Sequence, residues 1–494
     1  MDLPADITLI FVFLFLILTV RLSLKTFWTH KNLPPGPRPL PLLGNVLEFG
    51  EGGIVNYLIK KREKYGDVFT VYLGSRPFVV VCGYNAVKEV YVDRGDDFIV
   101  RGDTIFDMSY HNNGFVFTNN VEMWRELRRF SLSTMRDFGM GKRSIEGCII
   151  EESQCLVTEL KKSKGLFIDP RKFLNKVSGN VIFSIMFGHR HDYEDLELLD
   201  VIETMSETFH TVCSFWGQAF EMFPRIMKLI PGRHHDILSN MEKLLQYVER
   251  RVEKNKGSLD PNNPRDYVDA FLIKIEKERN NPHTEYTIIN LVNSTLQIFF
   301  AGMETTSETM TYALLIFLKH PDVLAKVCEE IDCVIGRDRS PSMKDRSQMP
   351  FTDAVVHEIQ RFIDLVPMGV TRKTIRNVEF KGYYLPKHTN VFPMLTTALK
   401  DPACFLYPNE FNPKNFLDEN GQFKQNDGFM PLAAGKRNCL GKALAKIEIF
   451  LLTVTILQNF ALKPEIPMED LDLSPDVSGF GNLAKPYKMA FIFR

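Results

Sequence analysis

The chain has 494 residues, 45% hydrophobic and 24% charged, with 60 Lys and Arg against 61 Asp and Glu. A net charge of -1 argues against a general nucleic-acid binder, and this length can bury a large core or several ordinary ones. The eight cysteines are scattered, with no CxxC pair and no zinc-like Cys/His cluster, which speaks against a disulfide framework and suits a reducing compartment.

The first signal along the chain is for a membrane. Residues 7–20 form an apolar run broken only by threonine, with Leu22 and Leu24 extending it. Asp2 and Asp6 precede it, whereas Arg21, Lys25, Lys31 and Arg38 follow, so the positive-inside rule puts the remainder in the cytosol. No small-residue cleavage site follows, which favours a retained anchor over residues 1–25. Residues 26–48 read as a basic, proline-rich hinge, with Pro34, Pro35, Pro37, Pro39 and Pro41 forming a stiff spacer.

Residues 49–494 read as one mostly helical domain with small β-sheets, because no later linker is long enough to separate two cores. Strands at 69–73 and 78–81 flank Gly74-Ser75-Arg76-Pro77 as a hairpin, and a second zone of short strands runs over 378–392. The polar stretch 254–265 is the clearest loop, and a long helix spans 288–318.

Four sites on this framework carry chemistry. Trp124 and Arg128, one helical turn apart, make either a carboxylate site or a basic surface helix with an anchoring Trp. In Ala301-Gly302-Met303-Glu304-Thr305, Ala301 and Thr305 share a face beside a glycine. The segment is either a ligand groove with Thr305 and Glu304 relaying protons, or a kinked core helix with back-bonded threonines. Glu358 and Arg361 can pair on a helix as a structural tie. Cys439, in Gly435-Lys436-Arg437-Asn438-Cys439-Leu440-Gly441, precedes an apolar-periodic helix. Arg437 supplies charge and two glycines leave room for a flat ligand, so Cys439 is either a thiolate ligand or one more buried cysteine.

Together these residues resemble the cytochromes P450 over essentially the whole chain: WxxxR at 124–128, AGxET at 301–305, ExxR at 358–361 and GxRxCxG at 435–441, in order and spacing. Wording around 129–132, 138–146 and 264–269 resembles the microsomal family 2 branch. The resemblance implies haem b held by Cys439 as axial thiolate, with Arg437, Trp124, Arg128, Arg101 and Arg372 at the propionates and Ala301 beside the ring. Thr305, with Glu304, would deliver protons to dioxygen, and Glu358 and Arg361 would brace the core with the meander at Asn412 and Asn415. The substrate would meet Phe115, Val116, Phe117, Phe300, Val366, Met368, Val370 and Phe480, an apolar lining for a small lipophilic molecule such as a fatty acid, steroid or xenobiotic.

A second greasy patch, Phe215, Trp216, Phe220, Met222, Phe223 and Ile226, is a candidate for dipping into the bilayer. Arg125, Arg129, Arg136, Lys142, Arg143, Lys436, Lys442 and Lys446 would face NADPH-cytochrome P450 reductase, with cytochrome b5 a second candidate donor. No dinucleotide fingerprint occurs at a strand-to-helix turn, so nicotinamide and flavin belong to the reductase. The implied protein is a monooxygenase on the cytosolic side of the endoplasmic reticulum membrane. A reductase-independent haem-thiolate isomerase or dehydratase and a haem sensor or carrier are the alternatives. The chain departs from the family pattern at Leu432 and Ala433, where Phe and a small polar residue are usual, and at Asn415, where Arg or His is common.

Overall fold

The computed structural model describes residues 32–50, 52–140 and 145–494. The expected anchor, the start of the hinge, and Lys142 and Arg143 lie outside them. Among the described residues no helix is long and apolar enough to cross a membrane.

The longer helices are α1 (Gly53–Tyr65), α2 (Val121–Met140), α3 (Ile145–Lys162), α4 (Arg171–Phe187), α5 (Leu196–Cys213), α6 (His234–Gly257), α7 (Tyr267–Glu278), α8 (Ile288–Lys319), α9 (Pro321–Val334), α10 (Pro350–Ile363) and α11 (Lys442–Asn459). Helix α8 is the axis of the domain, buried along most of its length and packed on α4, α6, α10 and α11. Its start is capped by Thr287, which accepts from the Asn290 amide, and Pro321 opens the next helix directly after His320. The helical pattern read over 288–318 is thus realised almost to the residue.

The expected hairpin is β1 (Val68–Leu73) with β2 (Arg76–Val81), turning on Gly74 and Ser75. The later strand zone gives β4 (Arg372–Lys373), β5 (Val378–Phe380), β6 (Tyr383–Leu385) and β7 (Asn390–Pro393). With β3 (Val100–Arg101), five strands join in the order β1-β2-β7-β4-β3, and β2 runs parallel to β7. The chain closes with β8 (Phe460–Pro464), β9 (Pro475–Ser478), β10 (Asn482–Ala484) and β11 (Met489–Phe493), which pair β8 with β11 and β9 with β10.

Three expectations need correction. The proline-rich segment is docked on β1: the Thr70 amide donates to the Pro35 carbonyl (2.9 Å), so this part of the hinge belongs to the body. The loop read at 254–265 begins only at Ser258, because Asn255 is pulled into the core by Asp266 and Asp269 and carries α6 onward. In the greasy patch, Phe220 and Met222 are buried and Trp216 stacks on His234, while Phe215 and Ile226 are exposed, as are Leu229 and Ile230 just beyond the patch.

Glu358 and Arg361 are fully buried and pair through two contacts of 2.7 Å. Arg361 also donates to the carbonyls of Leu399, Pro408, Tyr407 and Glu410, and Glu358 accepts from the Asn412 amide (2.7 Å) and Asn415 Nδ2 (3.1 Å). Asn415 keeps the tie to the pair, using a neutral amide. With its donors and acceptors satisfied, the pair pins segment 399–415 to α10.

Candidate functional site

Residues 429–441 form a loop that delivers Cys439 to the start of α11, closed by the Cys439 amide donating to the Leu432 carbonyl (3.0 Å). Gly435 has φ +71°, and a Cβ there would lie 1.8 Å from the Tyr91 carbonyl oxygen. That glycine is therefore demanded by a backbone-to-backbone approach, and not by a flat ligand as its sequence context suggests. Gly441 does leave space: a Cβ there would meet only Cys439 Sγ, at 3.9 Å. Ala433 takes a left-handed conformation, φ +55°, which residues of the small polar kind expected there tolerate better.

Cys439 is deep in the fold, yet its side chain is open to a solvent-sized sphere, as is Ala301 in the otherwise buried α8. Burial pushes the thiol pKa up, while the Gly441 amide and the charges of Arg128, Arg101 and Lys442 pull it down. Burial outweighs them, so the protein alone favours the thiol, and a cation bound to the sulfur is what would hold the thiolate.

Around this opening four arginines converge from three directions. Arg101 and Arg372 are direct cross-strand partners on β3 and β4, Arg437 comes from the cysteine loop, and Arg128 from α2. Like charges opposed across a sheet are destabilising, and among the described residues none of the four has a carboxylate in ion-pair range. Their contacts are neutral. Arg101 Nε donates to the Val116 carbonyl (3.0 Å), Arg437 to the carbonyls of Thr118 (3.0 Å) and Val116 (3.4 Å), and Arg128 to Asn438 Oδ1 (2.6 Å). The Arg372 guanidinium lies over Tyr91 (5.1 Å) and that of Arg437 over Trp124 (4.6 Å). Trp124 thus enters through its ring face, holding an arginine. Burial, then Arg372 and Arg128, lower the Arg437 pKa to about 8, and its Nε has no hydrogen-bond partner. Such a cluster calls for a bound dianion, and the two propionates of a haem beside an accessible cysteine sulfur fit it.

On α8, Thr305 Oγ1 donates to the Ala301 carbonyl (2.6 Å). A Cβ on Gly302 would lie 2.5 Å from Ile182 Cδ1, so this glycine lets α4 and α8 close on each other and does not widen a ligand groove. Glu304 diverges from Thr305, as successive helical residues must. It accepts from Ser206 Oγ (2.7 Å) on α5, and Ser206 also accepts from Asn175 Nδ2 (2.7 Å). Burial, against the Ser206 bond and with Glu308 adding to it, pushes the Glu304 pKa up to about 8. Glu304 lines a cleft of about 390 Å³ with Arg171, Glu207, His210, Glu308 and Asp476, so it faces a polar cleft while Thr305 faces the Ala301 carbonyl.

Phe117, Phe300 and Phe480 meet in one aromatic cluster through Phe106, at centroid distances of 4.4, 6.3 and 5.4 Å, with Phe209 joining at Phe300 (5.9 Å) and Phe480 (6.5 Å). Phe106 and Phe209 were not among the lining residues expected from the sequence. Phe115 is buried in the core, and Val116 contributes its peptide: its carbonyl serves the arginines and its amide donates to Gln297 Oε1 (2.9 Å). Met368 lies with Phe480, Thr371 and Phe392 along a narrow cleft, whereas Val366 and Val370 are half-buried and do not line it.

A family model described as Cytochrome P450 matches residues 34–491. The chain is 48% identical to Cytochrome P450 2G1 of Oryctolagus cuniculus over the full length of both proteins. It is equally identical to Cytochrome P450 2B4 of the same organism, covering 94% of this chain and 95% of that one, and to Cytochrome P450 2B2 of Rattus norvegicus, covering 97% of each. The chain belongs to the cytochrome P450 family, in its family 2 branch, as a haem-thiolate monooxygenase of the endoplasmic reticulum membrane that takes electrons from a reductase and uses dioxygen on a lipophilic substrate.

Proposed function

We propose that Cys439 is the axial thiolate, that Arg101, Arg128, Arg372 and Arg437 hold the two propionates, and that the substrate sits against Phe106, Phe117, Phe209, Phe300 and Phe480. The observation that carries this reading is the four-arginine cluster around an open cysteine sulfur, with no carboxylate in ion-pair range among the described residues. Haem supplies activation of dioxygen and transfer of one oxygen atom to a C–H bond or heteroatom, the other leaving as water. Trp124 keeps Arg437 in register through its ring. Thr305 holds a hydroxyl proton on the Ala301 carbonyl and can release it by rotating about χ1. Glu304, protonated near neutral pH and bonded to Ser206, holds its proton at the polar cleft, on a different side of α8 from the Thr305 hydroxyl.

The apolar cluster favours a substrate recognised by shape and ring contact, whether fatty acid, steroid or xenobiotic. Phe215, Ile226, Leu229 and Ile230, exposed together, suit a bilayer contact that supplements an anchor at residues 1–25 and keeps the body on the cytosolic side. Exposed Arg125, Arg129 and Arg136 on α2, with Lys442, form the face for the reductase and for cytochrome b5; Lys436 is already paired with Asp96 at 2.7 Å. The test is Cys439→Ser in full-length protein. The absorption band of a thiolate-bound, CO-treated ferrous haem disappears if Cys439 is the ligand, and its survival refutes the assignment. Product analysis with reductase and NADPH over a panel of the three substrate classes identifies what is oxidised.

A further inference from the structure

A separate cavity of about 370 Å³ opens where the C-terminal ends of α4 and α6 meet the start of α7. That volume lies at the small end of sites for organic ligands. Its lining is cationic, with Arg251, Lys254 and Arg265 beside His189, Asn255 and Ser258.

Arg251 is the informative residue. It is 7% exposed, its Nε has no hydrogen-bond partner, and among the described residues no carboxylate lies in ion-pair range of it. One terminal nitrogen donates to His189 Nε2 (2.5 Å), and the guanidinium lies over the Phe187 ring (5.4 Å). His189 is a neutral acceptor, because its Nδ1 donates to the Phe187 carbonyl (2.8 Å) and burial, with Arg251 adding repulsion, holds its pKa below the usual value. The two nearby acids are committed elsewhere. Asp269 takes the Arg265 fork (2.6 and 3.0 Å) and Asn255 Nδ2 (3.0 Å), while Asp266 accepts from Asn255 Nδ2 (2.9 Å) and caps α7 through the Asp269 amide (2.8 Å). Arg265 is thereby neutralised, leaving Arg251 at the floor and exposed Lys254 at the rim. A buried guanidinium without a counter-ion is costly, and its planar fork matches a phosphate.

We propose that this cavity binds the phosphate group of a small phosphate ester or of inorganic phosphate, held by the Arg251 guanidinium that lines it, with Lys254 closing over it. The same chemistry could arrive on a soluble ester or on a lipid headgroup, and the test separates them. Full-length, haem-loaded protein is titrated by calorimetry with inorganic phosphate, glycerol 3-phosphate and monomeric dihexanoyl phosphatidic acid, with ionic strength held constant by chloride. Saturable one-to-one binding is expected, weakened about 10-fold or more in Arg251→Gln and several-fold in Lys254→Gln, with the haem spectrum unchanged. Lys254 is exposed, so its variant keeps the test open should Arg251→Gln fold poorly. Tighter binding of the phosphatidic acid than of glycerol 3-phosphate supports the site with a lipid source, and equal or weaker binding supports it with a soluble one. Absence of saturable binding of all three ligands by the unmodified protein, or equal affinity in both variants, overturns the proposal.

Discussion

Glu448 on α11 is 1% exposed, and its Oε1 has no hydrogen-bond partner. Burial raises its pKa to about 8 from an ordinary 4.5; Ser178 on α4 works against the rise and Glu152 on α3 adds to it. Between these two values the native state holds a proton that the unfolded chain releases, so stability falls as pH rises from about 4.5 to about 8. At pH 7 the gap is about 2.5 units, or on the order of 3 kcal/mol of stability already lost. Glu448→Gln removes the titration while keeping the shape. Its amide contributes an offset of its own, but that offset does not depend on pH. An unfolding entropy of about 2.1 cal/mol/K per residue over 494 residues is about 1 kcal/mol/K, so the melting temperature of the variant should gain ~3 °C on wild type between about pH 5 and pH 7. Scanning calorimetry of both haem-loaded proteins, at one scan rate across that range, reads the difference. A Tm difference that stays constant with pH would refute a buried, protonated Glu448.

Arg361→Ala strands the buried Glu358 and frees four carbonyls, and should cost about 3–5 kcal/mol, read as a large fall in the denaturation midpoint with loss of haem. Arg437→Leu should act in opposite directions: the haem-free protein gains thermal stability because one crowded cation is gone, while haem transfers to an acceptor globin about 10- to 100-fold more readily. Equal destabilisation of both forms would deny Arg437 its place at the propionates. Thr305→Ala should leave the CO spectrum intact while product formed per NADPH falls by up to about 10²-fold; unchanged coupling would remove Thr305 from the proton path.

Much of this site was legible because its chemistry is written in short spacings. Trp124 and Arg128, Glu358 and Arg361, and the cysteine loop each lie within one or two turns of chain; Glu358 and Arg361 pair with each other, while Trp124 and Arg128 each meet the cysteine loop, at Arg437 and Asn438. Spacing did not reveal direction. Glu304 follows Met303 and precedes Thr305, and only the packing of α5 on α8 shows that it bonds Ser206 instead of lying beside the Thr305 hydroxyl. The aromatic cluster was legible only in part: the family resemblance pointed to Phe117, Phe300 and Phe480, but Phe106 and Phe209 were missed, because the members from different elements lie about a hundred residues or more apart in most cases and no local period links them. The glycines misled in a third way. Gly302 and Gly435 each answer to a protein neighbour, Ile182 and the Tyr91 carbonyl, which a ligand-centred reading overlooks.

The contact between Gly302 and Ile182 also constrains how this enzyme can diversify. Any methyl gained at 302 must be surrendered at 182, where a turned or shortened side chain is the cheapest concession. Substitutions at these two positions are therefore expected to arise as a couple. Screens that randomise the substrate-facing side of α8 alone would discard variants that a simultaneous Ile182→Val or Ile182→Ala would rescue.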